Sequence, residues 1–177
     1  MRKSIVVLVS AGVLATFMGS EKQYAVAKDG VATSNAAVPA VLVGQWQSGS
    51  LAAANFYNSS TRQWNEPNGR GMFLIVQANG EYRFGVGEQI TTTDYFLYQE
   101  GTISMHGSQM VLSPKIGSEY THDVCTHEDD QHASTQDELR PSTLKFQIVA
   151  DQADARGAKL VLTNEQGELI TLRPNAQ

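Results

Sequence analysis

Between residues 42 and 172 the chain is a succession of short runs in which β-branched and aromatic side chains alternate with polar ones, each run closed by turn-forming residues. A period of two sends successive side chains to opposite faces of a strand, so each run predicts a strand with one core face and one wet face. The first covers residues 42–47. Residues 72–77 and 81–86 flank Ala78-Asn79-Gly80, where Asn-Gly supplies the positive φ angles of a tight hairpin turn. In the second of these strands Tyr82, Phe84 and Val86 share one face, and Glu81 and Arg83 share the other. Residues 92–99 and 101–106 follow, with Glu100-Gly101 read either as a turn or as a bulge that bends one long strand. Ile103 and Met105 alternate there with Thr102, Ser104 and His106. Gly107-Ser108 turns the chain into residues 109–113, a strand that Pro114 is expected to end. After a long interruption at 115–142, Leu144, Phe146 and Ile148 alternate with Lys145 and Gln147. Residues 160–163 and 168–172 then form a last hairpin around Asn164-Glu165-Gln166-Gly167.

This pattern predicts eight or nine strands, and no segment sustains the 3.6-residue apolar period of a core helix. The fold class is therefore all-β. Consecutive hairpins favour an antiparallel up-and-down barrel over a two-sheet sandwich, because closure removes the unpaired edges. A barrel of eight strands is about wide enough to be filled by side chains or to hold one small ligand.

The N-terminus changes the picture of where the protein works. Met1-Arg2-Lys3 is positive, and residues 5–18 are mostly apolar and uncharged, shorter than the roughly 20 residues that span a bilayer. Ala25-Val26-Ala27 supplies the small-x-small pattern of a signal-peptidase site, so residues 1–27 read as a signal peptide, 28–41 as a flexible leader and 42–174 as a single barrel domain. The expected location is secreted or periplasmic, with no membrane insertion after cleavage. Losing residues 1–27, which carry Arg2, Lys3, Lys22 and Glu21, takes the formal charge from −5 to −7. That balance argues against nucleic acid as a partner, because phosphates would be repelled. Cys125 is the only cysteine, so no intrachain disulfide is available and stability must come from core burial.

Gly44-x-Trp46 on the first strand, with Arg173 at the end of the last, resembles the signature of the calycin barrels, which include lipocalins, avidins and small bacterial metalloprotease inhibitors. Asn55-Phe56-Tyr57-Asn58, Tyr98-x-Glu100-Gly101-Thr102 and Met110-Val111-Leu112-Ser113-Pro114 are similar to lipocalin-like domains of exported bacterial proteins. The resemblance implies a lipocalin-like barrel in which Trp46 closes one end and Arg173 packs over its ring, a cation–π contact. Thr93-Asp94-Tyr95 matches a second lipocalin motif in letters but not in spacing, and Tyr95 reads as a strand residue.

Candidate chemistry is sparse. Residues 55–69 hold Phe56, Tyr57 and Trp64 in a polar frame, and these rings read either as a lid over an apolar pocket or as a plug of ordinary core. With Phe84 and Tyr95 they are the residues expected to meet a ligand. His122, Cys125, His127 and His132, among Asp123, Glu128, Asp129 and Asp130, have the donors for zinc or copper but the spacing of no standard zinc site. The other reading of this stretch is a solvated acidic excursion. No Gly-x-Ser-x-Gly, His-Glu-x-x-His or Walker loop is present, so the expectation is a protein that is not an enzyme and needs no organic cofactor. The function expected is binding of a small, partly apolar molecule inside the barrel. Its alternative is an interaction protein, such as an inhibitor of an exported hydrolase, with a filled barrel.

Overall fold

The alternating runs form antiparallel strands that close on themselves. The computed structural model describes residues 37–51, 53, 56–65, 67–151 and 157–175, so the expected signal peptide, most of the expected leader and Asn55 lie outside the described residues. A short 3₁₀ turn, Ala40–Leu42, precedes the strands. In chain order these are β1 (Gly44–Gly49), β2 (Tyr57–Asn58), β3 (Gln63–Trp64), β4 (Gly71–Val76), β5 (Glu81–Ile90), β6 (Thr93–His106), β7 (Gln109–Asp123), β8 (Asp129–Ala133), β9 (Ser142–Ala150), β10 (Ala158–Thr163) and β11 (Leu169–Pro174). Hydrogen-bonded neighbours run β1, β4, β5, β6, β7, β9, β10, β11 and back to β1, a closed antiparallel barrel of eight strands, with β8 added to β7 outside the ring. Strands β2 and β3 form a separate two-stranded ribbon.

The hairpin between β4 and β5 forms at the expected place, by a different turn from the one expected. Among Ala78, Asn79 and Gly80 only Gly80 has positive φ, at +84°. Gly80 N–H donates to Gln77 O at 3.0 Å and Gln77 N–H to Glu81 O at 2.9 Å. This is the three-residue solution, in which a single glycine takes the left-handed position.

Glu100-Gly101 resolves as an irregularity within one long strand. Glu100 faces Ile116 while Gly101 faces Pro114, which leaves Lys115 as the extra residue on β7. A Cβ on Gly101 would run into the carbonyl of Ser113, so the close approach of the two backbones requires glycine. Pro114 does not end its strand. It keeps its place opposite Gly101 beside the bulge, and β7 continues to Asp123. The expected interruption at 115–142 therefore contains the second half of β7, the hairpin to β8 and a strap of residues 134–141 leading to β9.

The inner wall is packed where the strands belong to the ring. Leu42, Trp46, Leu74, Val76, Tyr82, Ile103, Met105, Met110, Leu112, Leu160, Leu162 and Leu172 form one core cluster. Trp46 Nε1–H donates to Leu42 O at 2.9 Å, so the one polar atom of this large ring is satisfied in the interior. Trp46→Ala is expected to destabilise the fold by about 3–5 kcal/mol, the usual result of truncating a buried aromatic without collapse of the site. Urea denaturation followed by far-UV circular dichroism checks it, and an unchanged midpoint would remove Trp46 from the core.

Candidate functional site

Strands β4, β6 and β7 have apolar side chains on both faces. Phe73 neighbours Leu74 in sequence and so points the opposite way, out of the barrel, where it meets Leu51, Phe56, Phe96 and Tyr98 in a second cluster. Tyr57, Trp64, Ile75 and Tyr120 pack against it. Ring centroids lie 5.1 Å apart for Phe56 and Trp64, 5.3 Å for Phe56 and Phe73, and 5.1 Å for Tyr57 and Trp64, all edge-to-face. Gly85 makes room for this layer, since a Cβ there would enter the Phe73 ring. Trp64 Nε1–H donates to Ser118 Oγ at 3.0 Å, and Ser118 Oγ–H donates to His132 O at 3.1 Å, tying the β2–β3 ribbon to β7 and β8.

The five expected ligand residues thus fall on two faces. Phe56, Tyr57 and Trp64 cover the outside of β4 to β7. Phe84 packs on the barrel core, and Tyr95 follows on the same inner wall, because the register sets Phe84 opposite Gln99 and Glu88 opposite Tyr95.

Toward the turn at 91–92 the inner wall changes character. On β5 the inner residues pass from buried Tyr82 to half-buried Phe84, Val86 and Glu88. On β6 they pass from buried Met105 and Ile103 to half-buried Gln99, Leu97 and Tyr95. Burial first, then the nearby Glu119 carboxylate, pushes the Tyr95 phenol up. Oε1 of Glu88 is sealed from solvent and has no hydrogen-bond partner among the described residues. Across the same wall the register pairs Glu119 with His132, whose Nε2 is 3.7 Å from Glu119 Oε2. Glu138 reaches them from the strap. Its Oε2 accepts from Thr135 N–H at 2.6 Å and from Thr135 Oγ1 at 2.9 Å, a capped turn whose bonds hold the Glu138 carboxyl below the usual range.

The four expected metal donors are divided by the β7–β8 hairpin. His122 pairs with Asp129 and Glu119 with His132, an odd offset that puts His122 and His132 on opposite faces. His122 Nδ1 lies 2.8 Å from Asp129 Oδ1, which also accepts from Tyr120 OH at 2.8 Å, and these two bonds hold the Asp129 carboxyl low. The His127 ring lies 6.1 Å from that of His122 and tilted to it by 35°, and Cys125 is an exposed thiol at the hairpin tip. Among the described residues the group of His, Cys, Asp and Glu donors that does converge is Glu119, His132 and Glu138, with ligand atoms within 4.8 Å of one another. Neither glutamate has a spacing signal in the sequence. One is brought in by strand register and the other by a strap that arrives from beyond β8.

Gly44 opens β1 with φ of +138°, and Trp46 pairs with Pro174, so Arg173 stands one step out of register, opposite Gln47. Its Nε donates to Asp151 Oδ2 at 2.9 Å, an ion pair in which the Asp151 side chain is 9% exposed. Among the described residues no helix is long and apolar enough to cross a membrane. Comparison with models of known families, with curated proteins and with solved structures finds no significant match.

Two outcomes follow from this geometry. Trp64→Ala, which empties the middle of the outer cluster, should cost about 3 kcal/mol, whereas Trp64→Phe, which keeps a ring and loses the bond to Ser118, should cost about 1 kcal/mol. Equal denaturation midpoints for the two variants would contradict the packing role. The second outcome concerns the hairpin tip, where Asp123 Oδ1 accepts from the N–H groups of Thr126 and Cys125 and its carboxyl is held low by them. A carboxyl whose folded pKa is depressed stabilises above its unfolded value, about 3.9, and the contribution is lost as pH falls through the lower folded value. Amide resonances of Thr126 and Cys125 should therefore show an acid transition below about pH 4, and Asp123→Ala should abolish that transition.

Proposed function

We propose that this is an exported, lipocalin-like binding protein of calycin type that takes a small, partly apolar molecule against the inner wall of its barrel and performs no chemistry on it. One observation carries the reading. Where the packed core ends, the wall continues as half-buried Phe84, Val86 and Leu97, interspersed with Gln99, Tyr95 and the partnerless oxygen of Glu88. Apolar area with a few convergent polar groups is what a small-molecule site offers. A sealed carboxylate oxygen without a donor costs about 1–3 kcal/mol, which a hydroxyl or amine of the ligand would recover. The acidic balance of the chain accords with a neutral or cationic ligand rather than an anionic one.

A second reading, an interaction protein with a filled barrel, is favoured by the dense core from Trp46 to Leu172. Native mass spectrometry of the protein purified from its own source, with uptake of the neutral fluorophore N-phenyl-1-naphthylamine, separates the two. The binding reading expects a retained small mass, or fluorophore uptake that Leu97→Trp weakens about tenfold, equivalent to 1.4 kcal/mol, while Trp64→Phe on the outer face leaves it unchanged. A bare mass with no uptake overturns it in favour of the interaction protein.

A further inference from the structure

We propose that Glu119, His132 and Glu138 form a zinc site on the inner wall of the β7–β8 extension. The three donors come from three different elements. Glu119 and His132 are register partners on β7 and β8, which sends their side chains to one face. Glu138 is delivered by the strap, whose turn is fixed by Thr135, and the N–H of Ser134 anchors the strap to Gly117 O at 2.9 Å. A Cβ on Gly117 would meet the side chains of Ser134 and Leu139, so the strap sits directly on the wall.

Charge is the first reason to expect a cation. Glu119 and Glu138 bring carboxylate oxygens within 4.8 Å of one another and of a ring nitrogen of His132, and Glu88 stands on the neighbouring inner wall opposite Tyr95. Among the described residues no lysine or arginine forms an ion pair with any of the three. Like-charged carboxylates around a partly desolvated point repel one another, and a divalent ion would reverse the sign of that interaction. The second reason is independent of charge. Glu88 Oε1 on β5 and Ser134 Oγ at the head of the strap are sealed from solvent without a hydrogen-bond partner among the described residues. Native interiors satisfy such atoms with protein, water or an ion, and Ser134 heads the same strap that delivers Glu138.

The donor set selects the ion. One imidazole nitrogen and two carboxylate oxygens suit zinc, which takes His N and Glu O at about 2.0–2.1 Å and leaves a fourth tetrahedral position for water. At those bond lengths donors stand about 3.4 Å apart. The Glu119 to His132 separation of 3.7 Å is already close to this. His132 and Glu138 are exposed side chains, free to draw in from the 4.8 Å limit of the group. Calcium and magnesium prefer oxygen ligands alone, and the imidazole would contribute nothing to them.

The site is distinct from the hairpin-tip histidines and does not rest on the apolar-ligand reading. Isothermal titration of the untagged full chain with zinc chloride and, separately, calcium chloride tests it. One zinc per chain is expected, bound more tightly than calcium. His132→Ala and Glu138→Gln should each weaken zinc at least about tenfold, and His122→Ala should leave it unchanged. Glu138 is exposed on the strap, so its variant keeps the test valid if His132→Ala fails to fold, as judged by circular dichroism. The proposal is overturned if the wild type binds no zinc or binds calcium more tightly. It is equally overturned if folded Glu138→Gln matches the wild type, or if His122→Ala is the variant that loses the ion.

Discussion

Strands β4, β6 and β7 carry apolar side chains on both faces, and both faces have to be kept from water. The inner face is covered by closing the barrel. The outer face is met by the chain between β1 and β4, which folds back over it with the β2–β3 ribbon and supplies Leu51, Phe56, Tyr57 and Trp64. Several local features exist because of that one demand. Gly85 leaves space for rings that a side chain would displace, and Ser118 on β7 is placed to accept from the indole and pass a bond to β8. The second half of β7 gains a covered outer face and β8 a supported neighbour, which allows the wall to extend past the ring.

Much of the ring was legible because period two is a geometric property of a strand and survives in the sequence wherever one face is wet. Tyr82, Phe84 and Val86, or Ile103 and Met105, announce their strands in this way. The extension was not legible for a related reason. From Gly117 to Asp123 the chain alternates Glu119 and Thr121 with Ser118, Tyr120 and His122, so neither face reads as apolar, and Pro114 just before it reads as a stop. Its outer face is buried by rings from a segment more than fifty residues away, which no local pattern can record. The aromatic trio was legible as a group. The choice of face was not, because a loop leaving β1 can turn toward the mouth or along the wall with the same residues.

The histidines show the same limit. Their clustering between 122 and 132 is visible in the sequence, but sequence proximity is a poor guide to convergence on a strand hairpin, where partners are set by register. His122 meets Asp129, His132 meets Glu119, and an offset of three residues along β7 separates them to opposite faces. The inner wall then gathers acidic groups from β5, β7 and the strap around a single tyrosine, so the chemistry of the extension is that of its concave side. The hairpin tip is by comparison a set of local turns organised by Asp123 and Asp129.

The ring closes where β1 meets β11, and that seam is held in register at Trp46 with Pro174 and Gln47 with Arg173, whereas β5 and β6 are paired from Glu81 to Thr102 through Ile90 to Thr93. The shortest seam is also the one with the greatest separation along the chain, so it carries the largest loop-closure entropy and the fewest bonds to offset it. Folding of such a barrel is dominated by non-local pairing and is slow relative to a hairpin, with β4 to β7 able to zip locally while the seam waits for the last strand. Thermal opening should follow the reverse order. The first breach in the wall lies beside Trp46, and the longest-lived remnant is the β5–β6–β7 meander.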